Sequence, residues 1–190
     1  MEARRLLTEI RWHGRGGQGI VTVSRLLAQA ALLDGKYVQA FPEFGPERRG
    51  APVTGYTRIA DEPITIHSQI YNPHIVVVVD PTLIGTVDVT KGLIPKGIIV
   101  ANFEKSPEDL RRSLGLSDVK VCTVNAMRIA LDILGRPIYN TAMLGALLKA
   151  APLTKMDSLI KVIIERFPGA VGEKNVAVIK RAYEEAVGIE

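Results

Sequence analysis

The chain has 190 residues, enough for one domain that hides about 70% of its unfolded surface. With 47% hydrophobic and 23% charged residues it has the composition of a globular protein, which excludes a disordered or low-complexity chain. Its net charge of +4 is dispersed in pairs such as Arg4-Arg5, Arg48-Arg49, Arg111-Arg112 and Lys180-Arg181, and only 5% of residues are aromatic, so the interleaved basic stripe of a nucleic-acid reader is missing.

In chain order, "MEARRLLTEIRW" lacks the apolar core of a signal peptide, and its "EIRW" reads as a first strand. Four glycines follow in "HGRGGQGIV", and then an apolar-faced helix from about Ile20 to Asp34, stopped by Gly35. "KYVQAF" reads as the next strand. The segment Pro42 to Pro52, "PEFGPERRGAP", holds three prolines and two glycines and fits neither helix nor central strand. Beyond it, "VTGYTRI" and "PITIHS" flank Ala60-Asp61-Glu62 and predict an antiparallel hairpin.

"HIVVVVD" is a continuous β-branched run, as expected of a strand buried on both faces, and "KGIIVAN" and "VKVCTV" share its character. Between those two, Ser106, Pro107, Asp109 and Gly115 punctuate a short helix, and Asn125 caps another that ends at Gly135. Three helices without intervening strands fill the last third. For the second of them Thr154 and Asp157 suggest a capping pair, and Leu159, Ile160, Ile163, Ile164 and Phe167 an apolar stripe. The longest apolar run, Ile75 to Val79, is too short to span a bilayer, so the expectation is a cytoplasmic chain with no membrane partner. The pattern predicts an α/β chain: a three-layer Rossmann-like fold with a largely parallel sheet, one antiparallel hairpin and a helical C-terminal third, in a single domain over residues 1–190.

Gly14, Gly16 and Gly19 satisfy G-x-G-x-x-G between a strand and a helix, but the second strand ends Ala40, Phe41, Pro42 without the acid that holds a dinucleotide ribose. A stand-alone NAD(P)-dependent oxidoreductase is therefore the lesser reading. The loop Arg15, Gly16, Gly17, Gln18, Gly19 either receives an anion at a helix N-terminus or makes a tight strand-to-helix turn. One cysteine, Cys122, rules out a four-thiolate site on this chain, and His13, His67 and His74 have no metal-ligand spacing. Asp80, followed by Pro81, reads as a helix cap, and Ser24 lies inside a helix rather than in a nucleophile elbow. No catalytic residue and no metal ligand is assigned. The stiffened loop carries Glu43, Phe44, Glu47, Arg48 and Arg49, residue types suited to a protein partner.

"IRWHGRGGQGIV", "YVQAFPEFGPERRGAPV", "NPHIVVVVDPTL" and "NTAMLGALLKA", in this order and over nearly the whole chain, closely resemble the γ subunit of the 2-oxoacid:ferredoxin oxidoreductases, in particular the pyruvate enzyme. Many members read Gly-Gly where this chain has Gly50-Ala51, a small-for-small change. The resemblance implies a complex that oxidatively decarboxylates pyruvate with coenzyme A, giving acetyl-CoA, CO2 and reduced ferredoxin, or a related enzyme acting on 2-oxoisovalerate. It implies α, β and δ partner subunits and ferredoxin as electron acceptor. Thiamine diphosphate, Mg2+ and 4Fe-4S clusters are then expected on the other chains. The γ chain would have a structural role, with Arg15, Gly16, Gly17, Gln18 and Gly19, beside Arg48 and Arg49, facing the coenzyme A phosphates.

Overall fold

The computed structural model describes residues 7–43 and 49–189. In chain order the strands are β1 (Leu7–Arg15), β2 (Tyr37–Pro42), β3 (Pro52–Ala60), β4 (Ile75–Val78), β5 (Ile98–Asn102), β6 (Lys120–Val124) and β7 (Val187–Gly188). They form one sheet in the order β2-β3-β1-β4-β5-β6-β7, in which β1, β4, β5 and β6 run parallel. The opposed strands are β3, between β2 and β1, and the two-residue β7 at the far edge.

The buried β-branched runs alternate across the sheet as a period of two requires. Ile75, Val77 and Val79 join one core, and Val76 and Val78 the other. The larger core is covered by α1 (Ile20–Leu33), α3 (Ala126–Leu134), α4 (Asn140–Ala150), α5 (Met156–Arg166) and α6 (Ala170–Glu185). The opposite layer is thin: α2 (Pro107–Leu114) supplies Leu110, and the chain from Pro81 onward supplies Leu83 and Val89. This is the three-layer α/β architecture expected from the sequence.

Local punctuation acts where it was read. The Ser106 hydroxyl accepts from the Asp109 amide at 3.2 Å, Asn125 accepts from the Arg128 amide at 3.0 Å, and Gly115 and Gly135 close their helices with positive φ.

Three expectations change. The antiparallel hairpin joins β2 and β3 across the proline-rich loop, and "PITIHS" is irregular chain. Both edges of β3 are already occupied, by β2 and β1. The carbonyls of Ile66 and Ser68 instead accept from the buried Arg58 guanidinium, whose Nε pairs with Glu9 at 2.8 Å. The start of α5 is not capped by Thr154 and Asp157. Asp34, just past the end of α1, accepts from Thr154 Oγ1, the Lys155 amide and Ser158 Oγ, so the cap arrives from another helix. The stripe of α5 is also rotated, with Val162 buried beside Leu159 and Ile163 while Ile164 is exposed.

Candidate functional site

The parallel strands change direction of progression between β1 and β4, which is where open α/β sheets open a ligand crevice beyond their C-terminal ends. The glycine loop leaves β1 at this point and Asp80 leaves β4. Gly17 (φ 93°) and Gly19 (φ 75°) adopt left-handed backbone that other residues rarely tolerate. A Cβ on Gly14 would overlap Ile20, and one on Gly19 would overlap Asn140, so these glycines also let α1 and α4 close in.

The two motifs singled out in the sequence meet here. The Gly16 amide donates to the Ala51 carbonyl at 2.8 Å, and the Gly50 amide returns to the Gly16 carbonyl at 3.0 Å. Arg49 is exposed and its side chain lies over Gly17. Glu43 is exposed, and burial, helped by the Glu43 charge, pushes the Tyr56 hydroxyl up to about 12. Phe44, Glu47 and Arg48 lie outside the described residues. Arg15 turns inward: its fork donates to Thr82 Oγ1 at 2.8 and 3.0 Å and to the Gly50 carbonyl at 3.1 Å, and its Nε stands 3.5 Å from Asp80.

Asp80 does more than cap the short turn Pro81–Leu83. It is 5% exposed, accepts from the Thr82 amide (2.8 Å) and hydroxyl (2.6 Å), and accepts from the Gln18 side-chain amide. Burial alone would push its carboxyl upward, but these hydrogen bonds and the Arg15 charge hold it below the usual carboxylate range. Gln18 also accepts from the Arg15 amide at 2.7 Å and donates to the Tyr139 hydroxyl at 3.1 Å.

Beside this network opens a cleft of about 640 Å3 between the glycine loop, the turn between α3 and α4, and the start of α6. That volume suits a small-molecule ligand. Arg136, Arg166 and Lys174 line it, all exposed, and no carboxylate does. The first turns of α1 and α4 border it without an acidic residue or an N-cap side-chain bond, although the Thr141 amide is taken by Asn140 Oδ1 at 3.0 Å, so their remaining amides add positive potential. The three cations escaped the sequence reading because they stand on three separate segments, 30 and 8 residues apart, with no local motif. Ile138 and Val171, 51% and 58% exposed, form an apolar part of the same lining.

The remaining candidates are explained by structure. His13 is buried, and its Nε2 accepts from Arg11 Nε at 3.0 Å. His74 Nδ1 accepts from the Glu9 amide at 3.0 Å. Ser24 donates to the Val21 carbonyl inside α1. Burial pushes the Cys122 thiol up to about 12, where it is unreactive. Among the described residues no group of three His, Cys, Asp or Glu side chains could hold a metal ion, and no helix is long and apolar enough to cross a membrane.

The dinucleotide reading fails on topology. A ribose-binding acid works from the end of a strand adjacent to β1. Here β3 separates β2 from β1, which moves the end of β2 about 10 Å away at two strand spacings.

Residues 9–185 match the family of pyruvate ferredoxin/flavodoxin oxidoreductases. The chain belongs to this family. It is 54% identical over 184 residues to the pyruvate/ketoisovalerate oxidoreductases common subunit gamma of Thermococcus kodakarensis, covering 97% of this chain and 100% of that one. It is 52% identical over 179 residues to pyruvate synthase subunit PorC of Methanothermobacter thermautotrophicus, covering 94% and 96% respectively. The crystal structure of the pyruvate oxidoreductase subunit PORC of Thermotoga maritima superposes with a TM-score of 0.88 at 41% identity, covering 98% of this chain and all of that one. Within the pyruvate ferredoxin/flavodoxin oxidoreductases this is a γ-type subunit, as the ordered motifs implied. The similarity runs end to end, so the cleft lies within the shared fold.

Proposed function

We propose that this chain assembles with α, β and δ subunits into a complex that oxidatively decarboxylates pyruvate. In that reaction the bond between the carboxylate and carbonyl carbons breaks and CO2 leaves. The acetyl carbon forms a thioester with the sulfur of coenzyme A, whose thiol proton is released, and two electrons pass to ferredoxin. Thiamine diphosphate, Mg2+ and 4Fe-4S clusters carry the chemistry on the other chains. This chain supplies a docking surface and a site for the phosphate groups of coenzyme A.

The observation that carries the coenzyme A assignment is the cleft, where three cations and the starts of α1 and α4 converge without a carboxylate in its lining. Cationic side chains and helix-terminal amides are the donors that phosphate oxygens select. The proline-stiffened loop beside it, with Arg49 and Glu43 exposed, is the partner contact that we assign. The Thermococcus relative is named as common to a pyruvate and a ketoisovalerate enzyme, which favours a second reading in which one γ chain serves two such complexes.

The test is steady-state kinetics of the reconstituted complex. Lys174→Ala is expected to raise KM for coenzyme A about tenfold, the loss of about 1.4 kcal/mol, while KM for pyruvate stays constant. An unchanged KM for coenzyme A in Lys174→Ala and in Arg136→Ala would remove the cleft from the reading.

A further inference from the structure

Gln18 uses both N–H donors and one oxygen lone pair of its side-chain amide. Its oxygen accepts from the Arg15 amide, a group that can only donate, and its NH2 faces the Asp80 carboxylate, a group that only accepts. These two neighbours fix which way round the amide stands. The second N–H then donates to the Tyr139 hydroxyl oxygen at 3.1 Å. Tyr139 is 8% exposed and lines the cleft, and among the described residues its hydroxyl accepts from Gln18 and donates no hydrogen bond.

We propose that Asp80, acting through Gln18, commits the Tyr139 hydroxyl to donate into the cleft, so that the site accepts a hydrogen-bond acceptor such as a phosphate oxygen and rejects a donor at that point. Tyr139 touches the ligand, whereas Gln18 and Asp80 are positioning residues one and two hydrogen bonds behind it. The sequence distances are large, 62 residues from Gln18 to Asp80 and 121 to Tyr139, so one relay ties together the end of β4, the glycine loop and the turn before α4. Burying a polar chain of this kind gives selectivity, because a ligand that cannot accept leaves a desolvated hydroxyl unpaired. The inference rests on the coenzyme A reading of the cleft.

The experiment is a double-mutant cycle of Tyr139→Phe and Asp80→Asn in the reconstituted complex, with Lys174→Ala alongside. Asparagine at 80 keeps the shape and an acceptor for the Thr82 amide, but it removes the carboxylate that holds the Gln18 NH2 and leaves the Arg15 amide as the one remaining constraint on Gln18. Each variant is expected to raise KM for coenzyme A about three- to tenfold, with kcat and KM for pyruvate unchanged. The double variant should be no worse than Tyr139→Phe alone, because both changes remove the same donor. Inorganic pyrophosphate, as a competitive inhibitor against coenzyme A, should weaken in parallel.

If Lys174→Ala raises KM but Tyr139→Phe does not, the relay is overturned and the coenzyme A site stands. Additive effects of Tyr139→Phe and Asp80→Asn overturn it as well. If Lys174→Ala and Tyr139→Phe both leave KM and pyrophosphate inhibition unchanged, the cleft is not the coenzyme A site and the relay falls with it. Tyr139→Phe alone decides the matter should Asp80→Asn fail to fold.

Discussion

His13 shows how one buried side chain writes itself into the stability of the protein. Burial, and second the neighbouring Arg11 guanidinium, lower its imidazole from 6.5 to about 4, so the folded chain keeps it neutral. The unfolded chain takes up the proton first as pH falls below about 6.5, and stability therefore declines from there until the folded state also titrates near 4. A shift of this size corresponds to up to about 3 kcal/mol. Asp34 and Asp80 are both held below the usual carboxylate range. For Asp34, burial is the largest influence and raises it, but hydrogen bonds from Ser158, Thr154 and the Lys155 amide, with the Lys155 charge, prevail. Their stabilisation is complete above the ordinary carboxylate pKa and is lost as pH falls through the lower folded values. Urea unfolding of the purified chain between pH 7 and 3 should thus show a decline starting near pH 6.5 and a second one below about pH 4. His13→Gln should flatten the first and leave the second.

At the scale of elements, α4 is the decisive helix. Every residue from Asn140 to Leu148 is buried, so it shows no single apolar stripe, as expected of a helix covered all round. Gly145 makes that possible: a Cβ there would overlap the Ile179 carbonyl of α6. Gly145→Ala should gain helix propensity yet destabilise the chain by about 1–3 kcal/mol through overpacking, read as a lower urea midpoint at unchanged slope. A neutral or stabilising result would mean that α4 and α6 can separate without loss. α1 and α5 are joined differently, by the Asp34 carboxylate at the end of one capping the start of the other.

At the scale of the whole molecule, the functional features gather at one end of the sheet. The glycine loop, the turn at Asp80, the cationic cleft and the Gly50-Ala51 end of the proline-rich loop all lie beyond the C-terminal ends of β1 and β4. On the proposed function, a γ chain would present this end to its partners, and coenzyme A access and docking would share one surface. Reversing the charge at Arg49, which is exposed over Gly17, should weaken co-purification of the chain with the α and β subunits proposed as its partners and make what remains sensitive to salt. Full recovery of Arg49→Glu in the complex would move the docking surface elsewhere.

The sequence by itself determined the central strands, most helix ends and the family, but not the irregular "PITIHS" or the cap of α5. These signals are local: β-branched runs, Ser106 and Asn125 as caps, Gly35, Gly115 and Gly135 as stops, and motifs whose spacing survives in one dimension. It also held both halves of the loop surface, without saying that Gly16 would pair with Gly50 and Ala51. Only the tertiary structure decided which strands pair, because the neighbours of β3 depend on competition for its two edges. Only the tertiary structure turned Arg15 inward and gathered Arg136, Arg166 and Lys174 around one cleft. Electrostatics and hydrogen bonding act over a few ångströms in space, and the chain brings those ångströms together from positions more than a hundred residues apart.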